Sequence, residues 1–308
     1  MAFAFYARHI HAASSKYCPA FNFCFLIPVY LSKNNHLLYI SSMPSAQRKN
    51  ILARFFMIIH QGLLENALIK KFAARYPAIY HFICNRFALN RFTGFPLTIL
   101  ATVFIINILT FSEIAENVID SESIVVIDQQ VTHFLYNARH QIAGQLFYLI
   151  SYLGSQKGSI IIAALVSVIL LKQRRKTYFV ALWLVLLGVG LSVRYGKLIF
   201  HRVRPVDVGF YEETNFSFPS GHATTAMVLF GMLTYFLMRN SSQKRQRLVY
   251  FFLGLFIVLL VGFSRIYLGV HFLSDVLGGY LLGATWMIMG ITVIEWLSYK
   301  KELKNIPQ

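Results

Sequence analysis

The chain has 308 residues, of which 56% are hydrophobic, 16% aromatic and only 13% charged. Soluble globular proteins carry about a quarter charged residues, so this composition excludes an ordinary soluble domain and points to a membrane protein. The net charge of +17 would suit a nucleic-acid partner, but the basic residues fall between apolar runs, where they fix membrane topology.

In chain order, residues 1–92 read as a basic cytoplasmic or interfacial region. Its apolar stretch "FNFCFLIPVYL" is interrupted by Pro28 and too short to span a bilayer. No clear cleavage site marks a secretory leader, and Met43 is an alternative start that would leave residues 1–42 outside the native chain. Cys18, Cys24 and Cys84 are too few and too scattered for a disulfide framework or a metal site.

Residues 93–299 hold six apolar runs, at about 94–111, 146–171, 177–200, 221–238, 248–264 and 272–297, each near the roughly 20 residues a spanning helix needs. The second begins amphipathic and becomes fully apolar only at "GSIIIAALVSVILL". Before it, Ile127, Val131, Phe134 and Leu135 recur at helical spacing, which predicts an amphipathic helix within 127–150 on the outer surface. Residues 300–308 are a short basic tail. The expected fold is all-α, a six-transmembrane-helix bundle.

Loop charge orients the bundle. Basic residues cluster before the first span (Lys70, Lys71, Arg75, Arg86, Arg91), at 172–176 ("KQRRK"), at 239–247 ("RNSSQKRQR") and at Lys300, Lys301 and Lys304. By the positive-inside rule these regions and both termini are cytoplasmic, and the chain is a multi-pass protein of the cytoplasmic membrane. The acidic stretch Glu113, Glu116, Asp120, Glu122 and Asp128 then lies outside, as a solvated loop.

This topology brings three polar clusters to the outer face. The first is Lys197 with Arg204 and Pro205; the second is Pro219, Ser220, Gly221 and His222; the third is Ser264, Arg265, His271 and Asp275. Each has a plain structural explanation. Lys197 and Arg204 could be snorkelling side chains, Pro219 and Ser220 a helix start, and His271 with Asp275 a pair on one helix face. Ionisable groups at membrane depth are costly, however, and three such clusters on one face favour a site.

The residue types suit a phosphate. Lys197, Arg204 and Arg265 supply three positive charges, and arginine can grip phosphate oxygens bidentately. The amides of Ser220, Gly221 and His222 open a helix, where N–H groups and the dipole attract an anion, and Gly221 lets the backbone come close. Of the two histidines, one can attack phosphorus and the other can protonate the leaving oxygen. Asp275 stands one turn beyond His271 and can hold its imidazole in one tautomer, which favours His271 as nucleophile and His222 as acid. Asp275 is the one carboxylate read within the clusters. No metal or other cofactor is implied, since cationic side chains can do what Mg²⁺ does elsewhere.

The three clusters together, Lys197-x6-Arg204-Pro205, Pro219-Ser220-Gly221-His222 and Ser264-Arg265-x5-His271-x3-Asp275, resemble the tripartite signature of the type 2 phosphatidic acid phosphatase (PAP2) superfamily over roughly residues 94–297. The resemblance implies a six-helix membrane phosphatase with a phosphohistidine at His271, protonation by His222, and phosphate binding by Lys197, Arg204, Ser220, Gly221 and Arg265. The partners it implies are a lipid phosphate and the surrounding lipids, with phosphatidic acid, phosphatidylglycerophosphate and undecaprenyl diphosphate as candidate substrates. A vanadate-dependent haloperoxidase shares such an anion site but is typically soluble. A non-enzymatic lipid-phosphate transporter or binding protein would lack the histidines.

Overall fold

The computed structural model describes residues 67–86, 92–120 and 123–304. The expectations placed on residues 1–66, including Met43, Cys18 and Cys24, lie outside the described residues. Among those described, every regular element is helical, as the apolar runs predict. They fall into two compact units divided between Ile99 and Leu100.

In the first unit, α1 (Ala67–Arg75) is followed by α2 (Pro77–Arg86). Pro77 opens α2, where its fixed φ and missing N–H cost nothing. Arg86 donates to the Thr93 carbonyl at 3.1 Å, and its guanidinium lies 4.6 Å from the Phe82 ring centre.

The helix α3 (Phe95–Ile119) leads into the second unit, followed by α4 (Ser123–Asn137), α5 (Gln141–Ser151), a 3₁₀ turn (Tyr152–Gly154) and α6 (Gln156–Lys172). Then come α7 (Lys176–Phe200), α8 (Gly221–Asn240), α9 (Lys244–Tyr267) and α10 (Leu273–Lys304). Five of these, α3 and α7 to α10, are long and apolar enough to cross a membrane. The expected unbroken second span is corrected: α5 with the 3₁₀ turn and α6 form a pair bent by 53°, and six crossings result only if that pair counts as one. Ser155 is the reason. Its backbone is extended and its hydroxyl accepts from Gly158 N at 3.0 Å, so it caps a new helix where the old one would have continued.

The expected single helix within 127–150 is likewise two. Helix α4 ends at Asn137 and α5 begins at Gln141.

The core lies around α8, which packs against α7, α9 and α10. Leu182, Val185 and Val189 of α7 meet Leu229 and Met232 of α8, Val261 of α9 and Ile294 of α10, all buried. Helices α8 and α10 approach closely because α10 offers glycines. A Cβ at Gly279 would stand 2.7 Å from the Ser220 carbonyl oxygen, and one at Gly283 2.7 Å from that of Thr224; small residues four apart permit such contact between membrane helices. Polar side chains bond across the bundle. Asn107 of α3 donates to the Leu281 carbonyl and Thr285 hydroxyl of α10, both at 2.7 Å, and Trp286 of α10 donates to Ser192 of α7 at 3.1 Å. Outward faces are apolar, as at Ile105, Ile106 and Leu109.

Alternation of chain direction sets the site. The last turns of α7 and α9 and the first turns of α8 and α10 meet at one end, where Ser220 N donates to the Asp275 carbonyl at 3.0 Å. The basic connections lie at the other end, where Arg175 bonds Asn240 and Arg239 pairs with Glu295.

Candidate active site

His271 sits in the turn between α9 and α10, 1% exposed, and Asp275 in the first turn of α10 is fully buried. The His271 Nδ1 lies 3.4 Å from Asp275 Oδ2 and 3.3 Å from the Ser217 hydroxyl, while Nε2 lies 3.2 Å from an Arg204 guanidinium nitrogen. Arginine only donates, so Nε2 must be the acceptor and Nδ1 carries the proton. That tautomer leaves the Nε2 lone pair directed at the Arg204 side. Burial, and then the charges of Arg204, Arg265 and Lys197, hold the His271 imidazole well below the ordinary histidine range.

Asp275 is itself held tightly. Its Oδ2 accepts from Phe272 N at 2.8 Å and from the Ser217 hydroxyl. Its Oδ1 pairs at 2.6 Å with Arg202, whose other nitrogen pairs at 2.7 Å with Asp128 of α4. Asp128 is 0% exposed and also accepts from the Ser274 amide at 2.9 Å and the Ser274 hydroxyl. The Arg202 guanidinium lies 4.5 Å from the Phe272 ring centre. The solvated-loop expectation is therefore wrong for Asp128, which is a buried anchor of the site.

The connection between α7 and α8 supplies a third carboxylate. Glu213 Oε2 pairs with Arg204 at 3.1 Å and Oε1 with Arg265 at 2.7 Å, so Asp275 is not the only acid among the clusters. Burial pushes the Glu213 carboxyl up, but Arg204 and Arg265 pull it further down, and it is held below the usual carboxylate range. Arg265 is fully buried and also bonds the Tyr211 and Ser151 hydroxyls. Arg204 is fixed by the Asn215 carbonyl at 2.6 Å and the Val270 carbonyl at 2.5 Å.

Gly221 and His222 begin α8. Ser220 precedes them with extended backbone but caps nothing with its side chain, so the helix-cap explanation of this serine fails. Its hydroxyl is buried and has no hydrogen-bond partner, as is true of Arg265 Nε. A Cβ at Gly221 would meet only Val193, at 3.3 Å. Lys197, in the last turn of α7, is half-buried. His222, Tyr211 and Glu213 line a cavity of about 330 Å³ together with Ser151, Ser155 and Lys157. All eight residues singled out in the sequence thus belong to one end of the bundle.

Residues 178–299 match the family model described as the PAP2 superfamily. All three motifs fall inside that match. The chain is 42% identical over 112 residues to phosphatidylglycerophosphatase B of Bacillus subtilis, covering 35% of this chain and 55% of that protein. It is 34% identical over 94 residues to undecaprenyl-diphosphatase of Sulfolobus acidocaldarius, covering 30% of this chain and 41% of that protein. The aligned stretches thus span about half the length of these relatives or less. The crystal structure of a transmembrane PAP2-type phosphatidylglycerolphosphate phosphatase from Bacillus subtilis superposes with a TM-score of 0.59 over 66% of this chain and 98% of that one, at 24% identity; that likeness is one of fold.

The three motifs lie wholly within residues 178–299, whereas Asp128 and Ser151 reach the site from α4 and α5, ahead of that match in the chain. Asp128 had a signal in the sequence. It shares the helical stripe of Val131 and Leu135, so an acid stood on the apolar face. Glu213 had none, because nothing in "YEETNF" separates it from Glu212. Among the described residues no three His, Cys, Asp or Glu side chains group to hold a metal.

Proposed function

We propose that the protein is an integral-membrane lipid phosphatase that removes a terminal phosphate through a phosphohistidine. The observation that carries this reading is the oriented His271, with Nδ1 toward Asp275 and the Nε2 lone pair held by an Arg204 N–H that a bound phosphate would draw to its own oxygens. In the proposed reaction the Nε2 lone pair attacks phosphorus and the P–O bond to the lipid breaks. The leaving oxygen takes a proton from His222, and Asp275 stabilises the imidazolium side of the new phosphoramidate. Water then attacks phosphorus, gives its proton to His222, and returns His271 with inorganic phosphate. Lys197, Arg204, Arg265, the Ser220 hydroxyl and the Gly221 amide bind the phosphate oxygens. Substrates named for the relatives, phosphatidylglycerophosphate and undecaprenyl diphosphate, are the leading candidates, with phosphatidic acid beside them. The basic loops opposite the site support a cytoplasmic-membrane protein with both termini inside and the site on the outer face.

The test is phosphate release by purified chain from each of these three lipids. Release from at least one, persisting in EDTA, is expected; no release from any would overturn the reading, and a strict Mg²⁺ requirement its metal-free mechanism. A transporter or binding protein would hold the lipid without turnover.

The pH dependence follows from His271. Its depressed pKa keeps the nucleophile unprotonated as pH falls through the ordinary histidine value of 6.5. The acid limb of kcat/KM reports the free enzyme and the free substrate. Apart from the second ionisation of the lipid phosphate, at about 6, any limb set by His271 should therefore lie below the histidine value of 6.5. A limb above it would contradict a buried His271 facing Arg204, Arg265 and Lys197.

A further inference from the structure

Glu213 occupies the seat that the proposed function reserves for phosphate. Its two oxygens bridge Arg204 at 3.1 Å and Arg265 at 2.7 Å. The fit is incomplete, because Arg265 Nε and the Ser220 hydroxyl remain buried without partners. A carboxylate has two oxygens and one charge. A terminal phosphate has three free oxygens and two charges, enough to hold both guanidinium groups and still offer an oxygen to a further donor. Glu213 also borders the cavity of about 330 Å³ beside His222, which gives its side chain somewhere to go. The alternative, that Glu213 merely neutralises two buried arginines, does not account for an Nε left buried without a partner on the very guanidinium that Glu213 pairs with.

We infer that Glu213 is an internal counter-ligand that the terminal phosphate of the substrate must displace, a cost common to every anion that leaves the singly charged phosphodiesters of the surrounding lipid too weakly held to occupy the seat. This rests on the phosphatase reading and deepens it by naming the side chain that a terminal phosphate must expel. The selectivity arises from charge and tethering. A phosphodiester brings the same single charge as the carboxylate but lacks its high effective concentration, so it loses the competition. A dianion gains about twice the Coulomb attraction to the same two cations and wins.

The test needs no lipid and no turnover. Calorimetry on the purified full-length chain measures binding of inorganic phosphate, at alkaline pH where it is mainly a dianion, and of dimethyl phosphate, a soluble monoanionic diester. Displacement predicts that Glu213→Gln tightens both ligands by a similar factor, on the order of tenfold or more, because both must expel the same group. Glu213→Asp keeps the charge and should bind both more like the wild type, which guards against a variant that fails to fold. Unchanged or weaker binding in Glu213→Gln overturns the inference and leaves the phosphatase reading standing. Tightening of the dianion alone also overturns it, since that marks Glu213 as a fixed repulsive charge that never leaves. Failure of wild type and variants alike to bind phosphate overturns both readings.

Discussion

His271→Ala is expected to abolish phosphate release from the lipid substrate while leaving the bundle folded. Removing a covalent nucleophile from a triad-like site typically costs four to six orders of magnitude in kcat, roughly what removing the whole unit costs. The fold should survive because Asp275 keeps Arg202, the Phe272 amide and the Ser217 hydroxyl after the imidazole is gone. Two measurements check this: phosphate release in detergent, and trapping of an acid-labile phosphoenzyme that forms in the wild type and not in the variant. Undiminished turnover in His271→Ala would sink the phosphohistidine. Asp275→Asn bears on the same point, since it leaves the ring in place but loses the acceptor that fixes its tautomer. Loss of the carboxylate in a related arrangement costs about 10⁴ in kcat, and a comparable fall with KM little changed is expected here.

What could be read before the structure and what could not follows from the range of each interaction. The motif residues were legible because each cluster is short and stands where an apolar run begins or ends. Topology alone then sends those ends to one side. Lys197, Arg204, Ser220, Gly221, His222, Arg265, His271 and Asp275 do meet there. The bent pair of α5 and α6 was misread because hydropathy averages over a window, whereas the break is decided by one serine. Ser155 caps a helix within the stretch "YLGSQKG", a local signal that outweighs an apolar run. The bend has a use: a Cβ at Gly154 would stand 2.7 Å from the His222 carbonyl oxygen, so the turn is packed against the start of α8. Asp128, Arg202 and Glu213 escaped because their partners are far away in sequence or lie in an irregular loop. Periodicity can mark Asp128 as buried but cannot say that Arg202 meets it, and composition cannot tell a solvated acid from one bridging two arginines.

That distinction matters most at Arg202, where the second large effect is expected. One guanidinium compensates Asp128 and Asp275, whose side chains are 1% and 0% exposed. Arg202→Met keeps much of the apolar stem and its contact with Phe272, but leaves two buried carboxylates without their cation. Breaking a buried ion pair by removing one partner costs about 3–5 kcal/mol, mostly through the charge left behind. The variant should therefore unfold at markedly lower temperature or denaturant in detergent. If the cost is the stranded charge and not lost packing, the double variant Arg202→Met/Asp128→Asn should be more stable than Arg202→Met alone, a coupling that a double-mutant cycle reads directly. Additive losses would show that Arg202 acts by packing. The same cycle separates stability from function. Asp128→Asn alone retains the Arg202–Asp275 pair, so a fall in its kcat without a change in KM would mark Asp128 as a positioning residue that keeps Asp275, and through it His271, in register for attack.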